Sequence, residues 1–598
     1  MADKKPVIDY TSRDFNSIKV DLVDYARRYY PETFRDFSVN SFGSLMLDTV
    51  SYIGDILSFY LDYQVNESFI TTASEYKNVL KISRQLGLKA DLAPASYGVL
   101  TFFILVPANV NGSPDFNYAP VLRSGSKFST EDGRFFTLLE DVDFKDLEQV
   151  EVVVGRVNDA TAVPTDYAIR ARGQAISGEL AVHEATVGAY RKFRTVEVPG
   201  ENITEIVSVV DSQGNPYFEV DYLSQNTVYI TIQNTSTSRQ SVPNIIKPIS
   251  VPRRYVVTKE REKVILQFGF GTNENASEVL DPSAVLFNQH GKNYIADDSF
   301  DPATLIKTDS LGVSPSNTVL KIVYRINSAD NTNAGASTIT TVKEPIFTFD
   351  AETELSPSSL ATVRTSLEVI NEQPFVGSSP LPSADEIKER ALGVYSMQNR
   401  IVTKEDLVTA AYNMPRNLGS IKKAMAYQDT DSFNQRNINL YVISEGETGK
   451  LEVSNSIIKS NLKSYISRYK MINDTIDILD ARIINLRVQY KIIGFPDVDK
   501  FKALESSKAD LVTFFTNRRG YEIGEAFSVT DIFSVLKNSP LVLDVVDVSF
   551  ITKTGVNYSD SNFTVANNMS RDGRKIICPT DSVFEIKFPD SDIIGTVE

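Results

Sequence analysis

The chain is poor in the residues that build redox, metal and many catalytic sites. It has one cysteine, two histidines and no tryptophan in 598 residues. The single cysteine, Cys578, excludes an intramolecular disulfide framework and a cysteine-based metal cluster within one chain. The histidines, His183 and His290, lie in separate turn-rich stretches, where a lone histidine is more often structural than a ligand. Residues 1–15 contain no apolar core of a secretory signal, so we expect no signal peptide.

Readable catalytic and cofactor motifs are also missing. Gly269 begins a string like a dinucleotide-binding fingerprint, but Glu274 stands where its third glycine is required. Asp429 and Asp431 begin a pattern like a calcium-binding loop, which breaks at Phe433. No phosphate-cradling GxxxxGK[ST] motif and no GxSxG elbow occurs. We therefore predict no cofactor, no metal and no enzymatic activity. An enzyme with a pair of acid–base carboxylates stays open, because such pairs have no diagnostic spacing.

The overall composition is that of an ordinary folded protein with an acidic balance. Hydrophobic residues make up 42% and charged residues 23% of the chain, so disorder is not expected. The net charge of −16 argues against a general binder of nucleic acid or anionic membranes, which needs clustered lysine and arginine. An acidic balance favours the solubility of a subunit that must stay unassembled until its partners are present. The length predicts about four domains of about 150 residues each.

The segment Phe42–Tyr63 predicts a helix with an unusual distribution of side chains. Its polar residues recur every three or four positions and form one narrow stripe: Ser44, Asp48, Ser51, Asp55, Ser58 and Asp62. Most other positions are large and apolar. A surface helix ordinarily carries a single apolar stripe, so apolarity around most of the circumference predicts burial from several sides. No lysine or arginine occurs between Arg35 and Lys77, so we expect water or another chain to compensate the acidic stripe.

Four explanations of this helix compete. A membrane span needs about 20 apolar residues, and three aspartates within it are costly. A metal site is excluded because carboxylates seven residues apart lie roughly 10 Å apart along the axis. A helix buried within its own domain and a helix bundled with other chains remain, and we favour the intermolecular bundle. The predicted interface residues are Phe42, Leu45, Met46, Val50, Ile53, Ile56, Leu57 and Tyr60.

Patterns along the rest of the chain predict a multidomain α+β protein. Helices are expected at 14–30 and 72–86, and short strands separated by turn residues at 99–349. A long strand is expected at 477–493, and Ser528 with Asp531 is expected to cap a short helix. We expect an N-terminal helical bundle segment, a middle region of antiparallel β sandwiches or barrels, and α+β C-terminal domains. The predicted domains are 1–95 (helical), 96–350 (β-rich), 351–437 (a core segment of capped helices) and 438–598 (α+β).

Two short helices joined by a linker mark the centre of the chain. Ser383 with Glu386, and Thr403 with Asp406, have the spacing of capping boxes, and the second helix must stop near Pro415. The preceding stretch, 373–382, is rich in proline, glycine and serine and predicts an extended connector. Such a connector between rigid pieces is a candidate hinge. The candidate hinge residues are Pro374, Gly377, Pro380 and Pro382.

Three ordered strings in this region resemble the baseplate J-like family, the wedge proteins of contractile-tailed bacteriophages and related injection machines. They are PFVG at 374–377, DEIKERA at 385–391 and RIVTKEDL at 400–407. Three further strings are similar to the family: RSGSKFSTEDGRFFTLLEDVDF at 123–144, LQFGFGT at 266–272 and GEAFSVTDIFSVLK at 524–537. Phe270 stands where the family usually has an acidic residue between two glycines. With the opening helices, the resemblance covers most of the chain.

The resemblance implies a structural role in the inner ring of a contractile tail baseplate. Two copies of the chain would join a second wedge protein through a helical bundle, and the other domains would touch neighbouring wedges. The ring would surround a central hub and pass a receptor-triggered rearrangement to the sheath initiator. The implied location is the virion baseplate, assembled in the host cytoplasm, with no bound nucleic acid and no membrane insertion. A wedge of a bacterial injection system or tailocin, and a receptor-binding or glycan-binding tail protein, remain alternatives.

Overall fold

A computed structural model of the chain describes residues 14–30, 32, 38, 41–88, 92–109, 111–148, 150–158, 163–233, 244–259, 263–272, 311–328, 331–350, 352–429, 436–518 and 520–598. The chain forms two compact units. Unit 1 comprises Met1–Leu88 and Leu381–Asn399, and unit 2 comprises Lys89–Pro380 and Arg400–Glu598.

Helices occur at both ends and in the centre of the described chain. Their bounds are α1 (Phe15–Tyr29), α2 (Phe42–Asn66), α3 (Tyr76–Gln85), α4 (Pro357–Thr365), α5 (Ala384–Met397), α6 (Lys404–Tyr412), α7 (Ser456–Ile466), α8 (Lys500–Asn517), α9 (Val529–Lys537) and α10 (Pro589–Asp592). Short 3-10 turns lie at Phe116–Tyr118, Glu352–Glu354, Arg416–Leu418 and Ala566–Asn568.

Strands occupy most of unit 2. Those before residue 350 are β1 (Tyr97–Pro107), β2 (Val121–Leu122), β3 (Lys127–Thr130), β4 (Phe135–Leu138), β5 (Val142–Asp143), β6 (Glu151–Val157), β7 (Pro164–Ser177), β8 (Glu179–Val187), β9 (Thr195–Pro199), β10 (Ile203–Val210), β11 (Pro216–Glu219), β12 (Thr227–Gln233), β13 (Asn244–Ser250), β14 (Arg254–Lys259), β15 (Lys263–Phe268), β16 (Thr318–Ile326), β17 (Ile339–Glu344) and β18 (Phe347–Thr348). The later ones are β19 (Glu368–Ile370), β20 (Lys423–Gln428), β21 (Asn437–Glu445), β22 (Leu451–Glu452), β23 (Thr475–Asp480), β24 (Arg482–Gly494), β25 (Phe527–Ser528), β26 (Val542–Thr552), β27 (Lys575–Ile576), β28 (Ser582–Glu585) and β29 (Ile593–Val597).

Two large sheets form the β-rich part of unit 2. The first has the order β17-β3-β4-β7-β1-β19 with β6 added to β7, and the second has the order β8-β16-β10-β11-β14-β15-β9. Alternate residues of β1 (Leu100, Phe102, Ile104 and Val106) are buried in the first core. This period of two is the pattern of a strand with one face on a core. The second core includes Leu266, Phe268 and Leu320.

The C-terminal part of unit 2 is mixed. β21 pairs with β20, β22 and β23, while the long strand β24 pairs with β26, β28 and β29. A hydrogen-bond cluster ties this part to the β-rich part. The Asn333 side-chain amide donates to the Ser378 carbonyl at 2.8 Å and to the Glu445 carbonyl at 2.9 Å, and the Glu447 carboxylate accepts from the Gly335 amide at 2.8 Å. Both parts therefore belong to one compact unit.

The predicted fold class is confirmed: a multidomain α+β protein with an N-terminal helical segment, a strand-rich middle and mixed C-terminal elements. Three local predictions are wrong. The strand predicted at 477–493 is divided at Ala481 into β23 and β24, which lie in different sheets. The helix predicted at 72–86 begins only at Tyr76, and Ser528 makes no side-chain cap on α9. The three boundaries between the four predicted domains remain predictions, because the two compact units do not test them.

Candidate partner-binding surface

The helices α1 and α2 pack on each other within unit 1. Each begins at the kind of residue that its sequence provides for a cap. The Asp14 carboxylate accepts from the Ser17 amide at 3.1 Å, and the Ser41 hydroxyl accepts from the Ser44 amide at 3.1 Å. A side-chain acceptor at this position satisfies one of the amides that the first turn leaves without an intrahelical partner. The two helix starts are therefore encoded locally.

The polar stripe of α2 faces α1. The structure describes every residue of α2. The buried residues among them are Ser44 and Ser51, and both belong to the stripe. Asp48 forms an ion pair with Lys19 of α1 at 2.5 Å. A Cβ added at Gly54 would lie 3.2 Å from Cδ1 of Ile18, so the helices approach closely here. The prediction that water or another chain compensates the stripe is wrong for Asp48, whose partner is a lysine of the same chain.

The apolar positions of α2 lie on the opposite side and are exposed. The predicted interface residues Phe42, Leu45, Met46, Val50, Ile53, Leu57 and Tyr60 are all exposed, from Val50 at 48% to Phe42 at 77%. Ile56, the eighth, is half-buried. Successive residues advance by about 100° around a helix, so Ile53 points about 160° away from Ser51. The helix is inside-out: small polar residues pack within the chain and large apolar residues face outward.

The exposed surface is wider than the predicted interface. Further exposed apolar residues flank it or extend it beyond the end of the helix: Tyr52, Phe59, Leu61, Val65 and Phe69. We call these five and the eight predicted residues the α2 surface. Tyr52, Phe59 and Leu61 were readable from the helical period, whereas Val65 and Phe69 lie beyond the predicted helix end at Tyr63.

The size of the α2 surface is unusual for a protein without partners. Between Phe42 and Leu61, it spans an arc of about 200°, from Phe59 on one flank to Leu61 on the other. The 25 residues of α2 extend over about 37 Å. With about 200 Å² for each aromatic side chain and half or more of it exposed, the apolar area is on the order of 1,000 Å². Monomeric proteins rarely expose contiguous patches above about 600 Å², so this surface has the dimensions of an interface.

Glu67 holds the end of α2 to the start of α3. Its carboxylate accepts hydrogen bonds from the Ser74 amide at 2.8 Å, the Ser74 hydroxyl at 2.7 Å, the Glu75 amide at 3.2 Å and the Asn78 side-chain amide at 2.9 Å. Burial raises the pKa of Glu67, but the hydrogen bonds from Asn78, Ser74 and Glu75 outweigh burial and lower the pKa to about 2. The group therefore stays ionised at neutral pH and positions α3.

The variant Glu67→Gln should destabilise this connection. The side-chain NH2 of the glutamine replaces a carboxylate oxygen and cannot accept hydrogen bonds from Ser74, Glu75 or Asn78. Losing hydrogen bonds to a buried charged group costs roughly 2 kcal/mol. Because the pKa is lower in the folded chain than the ordinary value of 4.5, the carboxylate stabilises the fold fully above that value and progressively less as pH falls toward 2. Thermal unfolding and hydrogen exchange of α3 amides should show a gap between wild type and variant at pH 7 that narrows at pH 3.

The matched control is Glu389→Gln, which removes an exposed carboxylate of α5 in the same unit. Its stability should match the wild type at both pH values, since surface substitutions of this kind change stability by less than about 0.5 kcal/mol. A gap between the wild type and Glu67→Gln that is equal at pH 7 and pH 3 would contradict the ionised role of Glu67.

The predicted hinge residues lie on both sides of a unit boundary. Pro374 and Gly377 belong to a stretch that is held within unit 2, because Phe375 is buried and forms a bridge with Ala334. Gly377 has φ +112°, a conformation that favours glycine, and a Cβ there would lie 2.8 Å from Cδ1 of Ile458. Pro380 ends this part of unit 2. Pro382 follows at the start of the unit 1 segment.

The remaining sequence candidates do not gather into a chemical site. His183 is half-buried in β8, whereas His290, Glu274 and Asp431 lie outside the described residues. Among the residues that the structure describes, no group of three or more histidine, cysteine or acidic side chains could hold a metal ion. Over the same residues, no helix combines the length and apolarity needed to cross a membrane.

Comparison with known proteins gives a family match over the N-terminal helices. Residues 14–85 match the model of the bacteriophage baseplate protein N-terminal domain. No curated protein sequence matches the chain. Among solved structures, it is similar to a chain of the anti-feeding prophage (AFP) baseplate, solved by cryo-electron microscopy with six-fold symmetrisation: 10% identity, 94% of this chain and 90% of that chain, TM-score 0.28. The matched residues include all of α1, α2 and α3, so the part of the chain that carries the α2 surface is similar to a baseplate domain, which supports a structural baseplate role.

Proposed function

We propose that the chain is a structural wedge subunit of a contractile tail baseplate. It forms the inner ring around the hub and relays the conformational change that triggers contraction of the sheath. The observation that carries the proposal is the inside-out helix α2, whose apolar residues face outward while Ser44 and Ser51 are buried against α1. The match to a baseplate N-terminal domain covers this same helix. The strings that resemble the baseplate J-like family lie elsewhere in the chain and support the proposal independently.

The α2 surface binds helices of other chains in this proposal. One packed helix covers an apolar stripe of about 100°, so an arc of about 200° takes two partner helices. A second copy of the chain supplies one, and a second wedge protein supplies the other. Such a bundle buries the apolar area on the scale of a specific interface, about 800 Å² per partner. Neighbouring wedges, the sheath initiator and the hub contact the remaining domains.

The proposed location is the tail baseplate of a virion, after assembly in the host cytoplasm. The role is structural rather than enzymatic and needs no cofactor. A wedge of a bacterial injection system or tailocin is the alternative, and such a wedge would bind its partners through the same apolar α2 surface. Of the four candidate hinge residues, Pro374 and Gly377 lie in a stretch that is packed within unit 2. We therefore favour Pro380 and Pro382 as the hinge.

Removal of the gene tests this function directly. Without the chain, electron microscopy should reveal tails that lack baseplates or separate wedge components, and a plasmid copy should restore complete particles. Antibody against the chain should label the baseplate end of intact particles. Normal, infectious particles without the chain, or labelling at another position, would overturn the proposal.

The isolated chain should self-associate through the α2 surface. An apolar patch on the order of 1,000 Å² in water drives association at about 25 cal/mol per Å² of apolar area buried. Sedimentation velocity should reveal dimers or larger species, and adding the second wedge protein should convert them into a mixed complex that holds two copies of the chain. A monomer at high concentration that binds no hydrophobic dye would contradict an exposed α2 surface.

A further inference from the structure

The loop between β8 and β9 carries the densest positive charge of the chain. Arg191, Lys192 and Arg194 fall within four residues, and no other four consecutive residues of the sequence hold three cations. Arg191 and Lys192 are exposed, and Arg194 is half-buried. The net charge of the chain is −16, so this cluster runs against the overall balance. We call residues 189–194 the basic loop.

The cations of the basic loop have no carboxylate partner among the residues that the structure describes. The Arg194 guanidinium donates to a carbonyl within the loop, and the Lys192 ammonium lies 5.7 Å from the centre of the Phe270 ring. A ring face attracts a cation but carries no net charge. On the adjacent strands β15 and β9, by contrast, Lys263 pairs with Glu197 at 2.6 Å. The described part of the chain therefore leaves the charge of the basic loop uncompensated.

The basic loop is held in one shape by the segments around it. The Phe193 amide donates to the Gly269 carbonyl at 2.9 Å, and the Ser314 hydroxyl donates to the Arg191 carbonyl at 2.7 Å. A loop that is already ordered loses little conformational freedom when it binds a partner. The contacts of the basic loop therefore prepare it for binding.

Strained backbone holds an aromatic side chain at the surface of the basic loop. Phe193 has φ +51°, a value that is uncommon for residues other than glycine and an outlier for a bulky side chain. Its ring centre lies 5.3 Å from that of Phe270, yet Phe193 is 43% exposed. Strained residues cluster at ligand clamps and other functional sites. The loop thus presents an apolar ring between the cations.

We propose that the basic loop binds an acidic surface of another protein chain. Arg191, Lys192 and Arg194 pair with carboxylates of that surface, and Phe193 contacts an apolar residue among them. Arginine and aromatic residues are the types that are enriched at protein interfaces and dominate their binding energy. Nucleic acid fits less well, because its binding domains carry a basic face, whereas this loop is short and belongs to an acidic chain. The proposal follows from the loop itself and does not depend on the baseplate role.

Binding of an acidic peptide to the isolated chain tests the basic loop. The probe is a fluorescent peptide in which one leucine stands between two runs of three glutamates, and its anisotropy at low salt gives the affinity. The double variant Arg191→Gln with Lys192→Gln should lower the affinity about fivefold or more, because two exposed ion pairs are lost. Phe193→Ala should lower it about twofold or more, because the apolar contact is lost. Added salt should weaken binding by the wild type.

The matched control is Lys500→Gln with Lys502→Gln. These exposed lysines flank Phe501 of α8, which is 81% exposed, so the control removes the same charge beside an exposed phenylalanine on a regular helix. Its affinity should stay within about twofold of the wild type. Equal losses in the two double variants, or no binding of millimolar peptide by the wild type, would overturn the proposal. A short single-stranded DNA that binds more tightly than the peptide would also overturn it, in favour of nucleic acid.

Chemical labelling extends the test to the assembled particle, and this second measurement rests on the baseplate role. An amine-acetylating reagent should modify Lys192 readily in the isolated chain and weakly in the particle. Carbodiimide cross-linking should join Lys192 to an aspartate or glutamate of another chain. Equal labelling in both samples, or a cross-link within one chain, would overturn the proposal. The peptide measurement uses the isolated chain alone, so absence of the chain from particles would count against the baseplate role only.

Discussion

The variant Ile53→Asp should fold normally and fail to assemble. Ile53 is 51% exposed in the middle of the α2 surface, so a carboxylate there remains hydrated in the isolated chain. In a helical bundle the same carboxylate is buried without a partner, which costs about 3 kcal/mol or more and lowers affinity more than a hundredfold. Self-association by sedimentation velocity and co-purification with the second wedge protein measure the loss. Thermal unfolding of the isolated chain should match the wild type.

The matched control is Val153→Asp, which places the same charge on a valine of β6 that is 63% exposed. It lies outside the α2 surface and should leave self-association unchanged. Ile56→Asp is a less clean test, because Ile56 is half-buried and the charge also affects the isolated chain. Normal assembly of Ile53→Asp, or an equal loss of assembly in Ile53→Asp and Val153→Asp, would show that the α2 surface is not the binding site.

The helical period made α2 and its two contrasting sides predictable. It did not reveal which side the chain itself covers. That depends on α1, and the ion pair of Lys19 with Asp48 joins residues in different helices, beyond the reach of an intrahelical pattern. The prediction that another chain compensates Asp48 was wrong for this reason. The helical period did place the large apolar side chains on the side opposite the serines, where the structure leaves them exposed; their role as an interface stays a prediction.

Contacts between distant segments were outside the reach of local patterns. Val79 of α3 packs with Ile387 of α5, about three hundred positions later in the sequence. The capping boxes of α5 and α6 were readable because each uses two residues three positions apart, and both are confirmed. The end of α5, where Gln398 has φ +49°, was not readable. Asparagine tolerates left-handed backbone, but glutamine at position 398 carries no such signal.

The variant Ser51→Leu should damage the fold more than Ile53→Asp does, although it adds an apolar residue to an apolar helix. Ser51 is 0% exposed where α2 contacts α1. The added side chain has no room there, and overpacking of this kind costs roughly 1–3 kcal/mol. Hydrogen exchange should detect weaker protection of α1 amides, by a factor of about ten or more. Far-UV circular dichroism should report a lower melting temperature for the helical segment.

Thr49→Leu is the matched control for the orientation of α2. Thr49 is exposed two positions earlier in the same helix, so the same leucine enlarges the α2 surface without touching α1. It should leave the protection of α1 amides unchanged and strengthen self-association, because it adds apolar area to the interface. Two leucines placed two residues apart should thus have opposite effects, since about 200° of helical rotation separates them. If Thr49→Leu weakens the protection of α1 amides and Ser51→Leu does not, α1 packs on the other side of α2. The outward apolar surface would then not exist.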